Sequence, residues 1–169
     1  MFRLILITFF LLVSFNNINA SMTKVELSKF IEKPFILGKK DKNIQVWEIL
    51  DKDKKIHSYA FETFDLAPIA GFSGGKMNML VKIDTEGNFL DVVLLEQDEP
   101  VFVSGLGVEP FIEFLKQYKG KSLKNSIKVG VSKNKGSSVH IDGVTKATAS
   151  VKIANDSILA SSIKVAKGK

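Results

Sequence analysis

An α+β fold, a twisted and mainly antiparallel sheet with helices packed on it, follows from three observations. Met77 to Asp84 and Phe89 to Leu95 are apolar strand-like runs flanking the turn Thr85-Glu86-Gly87-Asn88, which reads as a hairpin. Pro110 opens a segment with Phe111, Ile112, Phe114, Leu115 and Tyr118 at helical spacing, ending near Gly120. A second helical pattern fills the C-terminus, with apolar positions at Ala147, Val151, Ala154, Ile158, Ile163 and Ala166 and a stop at Gly168.

At the N-terminus, Met1-Phe2-Arg3 is a short positive start, and Leu4 to Val13 is a nearly unbroken apolar run. Ser14 to Ala20 then turns polar and ends Ile18-Asn19-Ala20. That is the layout of a signal peptide over residues 1–20, with cleavage before Ser21. The run is shorter than the ~20 residues of a bilayer span, so no transmembrane helix is expected after cleavage. An uncleaved segment would act instead as an N-terminal anchor. Residues 21–169 read as a single domain.

Thr23 is placed to cap a helix through Val25, Leu27, Phe30 and Ile31 to Pro34. Ile44 to Leu50 and Ile56 to Phe61 are strand candidates around the charged turn Asp51 to Lys55. Lys121 to Gly136 is basic and poor in aromatics, a weak strand with an exposed loop. Val139-His140-Ile141 alternates as a short strand, and Asp142-Gly143 is a turn signal. Thr145 is the expected N-cap of the last helix, which puts Lys146 and Thr148 in its first turn, where no positive φ is needed.

Composition narrows the chemistry. With 169 residues and 45% hydrophobic content, the chain can bury one core. It has no cysteine, which excludes disulfides, thiolate chemistry, Cys-ligated iron–sulfur clusters and a lipidated cysteine. The formal charge of +6 comes from lysines, Arg3 being the only arginine, so it reads as surface solvation rather than nucleic-acid binding. His57 and His140 have no ligand-like spacing, and no metal site is expected. Nor is there a Ser/His/Asp arrangement or a carboxylate pair to suggest catalytic residues. Trp47 and Tyr59 belong to strands, as core or rim.

The segment Asp142-Gly143-Val144-Thr145-Lys146-Ala147-Thr148-Ala149-Ser150 looks like a site where a flavin transferase links FMN through its phosphate to a threonine. Upstream, Phe64-Asp65-Leu66-Ala67-Pro68, Gly71-Phe72-Ser73-Gly74, Leu80 to Asp84, Gly87, Leu94 to Pro100 and Gly105 occur in order. Together these residues resemble the FMN-binding domain of NosR/NirI-type proteins, a family related to the flavin-bearing subunits of the Rnf and Nqr complexes. The resemblance covers residues 56 to 166. It departs from the usual pattern at Lys146, Phe72 and Gln97, where family members have Gly, Tyr and His.

The resemblance implies an FMN-binding domain-like fold and a covalent FMN on Thr148 Oγ. Asp142, Thr145, Lys146 and Ala147 would form the attachment motif. Gly71, Phe72, Ser73 and Gly74 would lie against the flavin, with Phe72 stacking on the ring. Glu99 and Pro100 would orient it, although acidic strand ends are usually solvated, and Glu96 is read as such. Gly105 would suit phosphate or ribityl contact. The implied protein is a periplasmic electron-transport flavoprotein rather than an enzyme with its own substrate. Its implied partners are an ApbE-like flavin transferase and a membrane-bound or periplasmic redox protein, with a link to nitrous oxide reduction or its copper-site maturation. The alternatives are a secreted, flavin-free binding or assembly module that keeps the fold and, third, a flavin-dependent reductase.

Overall fold

The computed structural model describes residues 21–130 and 138–169. The signal peptide read in residues 1–20 and the far end of the basic stretch, 131–136, lie outside them. The architecture is α+β, as the patterning predicts. A five-stranded antiparallel sheet runs in chain order: β1 (Ile36–Asp41), β2 (Val46–Leu50), β3 (Ile56–Glu62), β4 (Met77–Asp84) and β5 (Phe89–Gln97). Two short strands, β6 (Ser126–Val129) and β7 (Ser138–Ile141), pair in parallel as a separate ribbon.

Side-chain alternation along β4 divides the sheet into two faces. Met77, Met79, Val81 and Ile83 face the larger core, together with Phe61, Phe89 and Val92. Onto that face pack α3 (Glu109–Lys116), through Phe111, Phe114 and Leu115, and α4 (Thr148–Gly168), through Val151, Ala154 and Ile158. Leu80 points the other way, to a smaller cluster with Ile49, Ala60 and Leu27. Leu27 comes from α1 (Lys24–Ser28), which Thr23 and Glu26 cap reciprocally, Glu26 N–H donating to Thr23 Oγ1 and Thr23 N–H to Glu26 Oε2. The expected helix to Pro34 therefore stops at Ser28. Beyond it, burial of Phe30 and Ile31 against the sheet, rather than helix propensity, fixes the path of the chain.

Strand β1 is absent from the sequence reading. Its centre, Gly38-Lys39-Lys40, carries no apolar alternation, because it is an edge strand with a register shift between Leu37 and Lys40. It closes on the C-terminus through Lys169 Nζ to Asp41 Oδ2 at 2.9 Å.

The buried stripe of α4 also differs from expectation. Ile163 is 44% exposed and Ala166 is exposed, whereas Ser157, Ser161, Ser162 and Val165 are buried. The face set by Val151, Ala154 and Ile158 continues at helical spacing through these serines. They are polar by type, but Ser161 and Ser162 return their hydroxyls to the helix's own carbonyls, 2.7 Å to Ser157 O and 2.6 Å to Ile158 O. Their small volume lets α4 lie close to α2 (Thr63–Leu66), where Ser157 Oγ donates to Ala67 O at 3.3 Å and Lys164 Nζ to Leu66 O at 3.0 Å. Leu159 is half-buried against the same core.

Tyr118 joins the helical layer to α4. Its hydroxyl donates to Asn155 Oδ1 at 2.8 Å, and burial together with the Asp156 charge pushes its pKa well above the ordinary tyrosine value. Among the described residues, no helix is long and apolar enough to cross a membrane.

Candidate functional site at the start of the last helix

Three stretches of chain meet at the N-terminal end of α4. Phe72 and Ser73 from the glycine loop, Glu99, Pro100 and Val101 after β5, and Lys146, Ala147, Ala149 and Ser150 line one cavity of about 410 Å³. Thr148, the first residue of α4, sits among them in sequence with its side chain exposed.

The glycine loop is held closed by its own backbone, Gly71 N–H to Gly75 O and Gly74 N–H to Gly71 O, both 2.9 Å. Gly74 has φ of 83°, which a side chain would strain. Gly71 is needed for a different reason: a Cβ there would overlap Glu99 Oε1. The tight turn pushes Phe72 outward, leaving its ring 72% exposed at the cavity mouth.

Glu99 is not a solvated strand end: it is 2% exposed. Its Oε1 accepts Ser73 N–H and Ser73 Oγ, both at 3.1 Å, and its Oε2 accepts the Ser150 hydroxyl at short range. The chain turns inward because Gln97 Oε1 accepts Glu99 N–H at 2.7 Å. One carboxylate thus pins the glycine loop to the first turn of α4. Ser150 is a residue that sequence reasoning passed over, since a serine in a helix gives no signal of its own. Glu96, in contrast, is exposed and pairs with Lys76 at 2.8 Å.

The start of α4 also corrects the capping assignment. Thr145 is not the N-cap. Ala147 occupies that position, with φ −122° and ψ 23°, and no side chain caps the helix. The reason lies at Lys146, whose φ is 69°: a left-handed residue cannot continue a helix, so α4 begins two residues later than a Thr145 cap would require. Lys146 is therefore in the backbone region that favours glycine, contrary to the expectation that no positive φ is needed there. The first-turn N–H groups of α4 remain uncapped at the positive end of a 21-residue helix.

Residues 142–145, just before this turn, face elsewhere. Asp142, Gly143, Val144 and Thr145 line a separate groove with Leu106, Pro110 and Gln117. There Gln117 mimics a strand partner, Nε2 donating to Asp142 O at 3.1 Å and Oε1 accepting Asp142 N–H at 2.7 Å. Nothing in the sequence flagged Gln117. Gly105 falls in a π-helical turn, Phe102–Leu106, where an added Cβ would meet Pro100 O in ordinary contact at 3.9 Å, and it lines neither space. Both histidines have local roles. His57 packs on Phe35 with ring centroids 4.1 Å apart, and His140 Nδ1 lies 2.9 Å from Gly130 O.

No family model matches the chain. It is 30% identical over 110 residues to regulatory protein NosR of Stutzerimonas stutzeri, a match covering 65% of this chain and 15% of that protein. It is 29% identical over 110 residues to regulatory protein NosR of Pseudomonas aeruginosa, with the same coverage. The chain thus spans about 15% of the length of the curated relatives it matches. Over those 110 residues it is NosR-like.

Proposed function

We propose that this protein is an exported electron-transfer flavoprotein carrying FMN on Thr148. One observation carries the reading: the exposed Phe72 ring and the uncapped start of α4 line one cavity, and the exposed Thr148 lies in sequence between two residues of that lining, Ala147 and Ala149. The residues fit the group. At about 410 Å³ the cavity falls in the ordinary range for cofactor sites, roughly 300–1,000 Å³. Phe72 offers a flat apolar face, the first-turn N–H groups suit a phosphodiester, and Lys146, which lines the same cavity, supplies a positive charge to offset it.

Each residue then has a task. Thr148 Oγ is the nucleophile of attachment: its O–H bond breaks and a phosphoester bond forms, while a phosphoanhydride of the flavin donor is cleaved by the transferase. Exposure of Thr148 leaves it open to that enzyme. Glu99 holds Ser73 and Ser150, and through them keeps the glycine loop against α4. Gln117 fixes the Asp142 backbone and with it the strand that leads into the attachment segment. The flavin, when bound, supplies reversible electron transfer; the protein supplies binding and orientation. A covalent link suits a carrier outside the cytoplasm, where a dissociated cofactor is lost.

The NosR-like relationship favours service to a respiratory pathway, nitrous oxide reduction or its copper-site assembly. Intact-mass measurement of protein from its native compartment tests the reading. A chain starting at Ser21 with one added FMN, less one water, is expected. An unmodified mass would contradict covalent attachment.

A further inference from the structure

A second buried carboxylate lies on the opposite face of the sheet. Glu62, at the end of β3, is 7% exposed. Its Oε1 accepts Ser21 Oγ at 3.1 Å and Met22 N–H at 2.5 Å, and its Oε2 accepts Asn78 Nδ2 at 2.7 Å. Asn78 is itself fixed, its Oδ1 accepting Phe64 N–H at 3.1 Å. Among the described residues, every hydrogen-bond partner of Glu62 is neutral. Lys40 Nζ, on β1, stops one residue short and donates to Ser21 Oγ at 3.0 Å. Among the described residues, no cation pairs directly with Glu62. A buried anion held by neutral donors alone has room for a cation, since buried charges are normally paired.

We propose that Glu62 is the receptor for a free α-ammonium on Ser21, so that leader removal creates the buried ion pair that completes this site. The inference rests on the export reading, in which the chain is cut after Ala20. Hydrolysis of the Ala20–Ser21 peptide bond consumes one water, leaves a carboxylate on Ala20 and a protonated amine on Ser21. Before the cut that nitrogen is a neutral amide. Covalent geometry holds it within about 3.7 Å of Met22 N, and therefore within about 6 Å of Glu62 Oε1. At that range an opposite charge stabilises both partners. Of the other charged groups at this end, Lys40 opposes the ammonium through the intervening Ser21 hydroxyl, and Glu26 Oε2 is engaged by Thr23 N–H two residues on.

Ser21 and Met22 lead directly into the Thr23 capping box, and Met22, Leu27, Phe30 and Ile31 together cover the second sheet face. Capture of the new terminus would clamp this cover, so the processed chain is the more stable form.

The full precursor, exported and purified, gives the test, with intact mass establishing where the chain begins. Against it stand Glu62→Gln and a variant with one alanine inserted between Ala20 and Ser21, which moves the ammonium by one residue. For a chain starting at Ser21, the α-amine is expected to titrate above the ordinary value of about 8. It should react with an acylating reagent near pH 8 at least tenfold more slowly than in Glu62→Gln. Each variant should melt at least about 3 °C lower, and the two together no lower than either alone. A chain still carrying its leader overturns the cleavage reading and this inference together. A chain beginning at Ser21 with an α-amine of ordinary pKa leaves export standing and overturns capture. Should Glu62→Gln fail to fold, the alanine insertion decides: a melting temperature equal to the parent's overturns the proposal.

Discussion

The Ser150 hydroxyl donates to the Glu99 carboxylate across 51 positions of sequence, and this bond joins the last helix to the loop after β5. The same carboxylate holds Ser73, so three segments of the site share one anchor. Removing Ser150 Oγ leaves a buried oxygen of Glu99 without its donor. Ser150→Ala should therefore lower stability by about 1–3 kcal/mol in urea unfolding. In Glu99→Gln the same substitution should have a much smaller effect, because the stranded group is then uncharged. Equal losses in both backgrounds would show that the bond is not what holds the segments together.

Lys146 carries the strain of a left-handed residue, roughly 1–2 kcal/mol for a side chain other than glycine. Lys146→Gly should raise the melting temperature by about 2–4 °C, while Lys146→Ala should leave it near the parent value. Glycine also uncovers the backbone of the attachment segment, so flavin loading should hold or improve. A lower melting temperature for the glycine variant would contradict the strain.

Ile158 is fully buried between α4 and the sheet. An aspartate there would place a carboxylate among Met and Phe side chains with no partner, so Ile158→Asp should unfold the domain or cost more than about 4 kcal/mol. A soluble variant with unchanged melting would refute the packing of α4.

Acid should weaken the β4–β5 hairpin first. Asp84 sits under its turn, Oδ1 accepting Glu86 and Asn88 N–H at 2.8 Å each and Oδ2 accepting Asn88 Nδ2 at 2.8 Å. Partial burial pulls its pKa upward, but these hydrogen bonds together outweigh it and hold the carboxyl below the ordinary aspartate value. A depressed folded-state pKa means that the unfolded chain binds the proton more readily. The contribution is present above the unfolded value and lost as pH falls through the folded one. The urea midpoint should thus decline below about pH 4. Asp84→Asn should be less stable at neutral pH and show a shallower acid decline.

The hairpin, the Pro110 helix and the C-terminal helix were legible in sequence because each buries one apolar face against the same core, which imposes a period. Edge strand β1 was not, because its centre, Gly38-Lys39-Lys40, puts no apolar side chain into a core. The α4 stripe was misread after Ile158 because small serines, not apolar residues, fill a close helix contact. Clustering of Phe72, Glu99 and Lys146 needed the fold, since residues 74 positions apart give no local signal. Lys146 shows the limit most clearly: helix propensity ranks lysine above glycine, but propensity says nothing where the backbone has already left the helix.

The central claim is that Thr148 carries the flavin. It is tested most directly on a denaturing gel viewed under ultraviolet light after co-expression with a flavin transferase. Parent chain should give a fluorescent band, and Asp142→Ala a weaker one. Thr148→Val, which keeps the side chain's shape and removes only the hydroxyl, should be dark and melt within about 3 °C of the parent. A fluorescent Thr148→Val band would place the flavin elsewhere, and a dark parent band would contradict covalent attachment altogether.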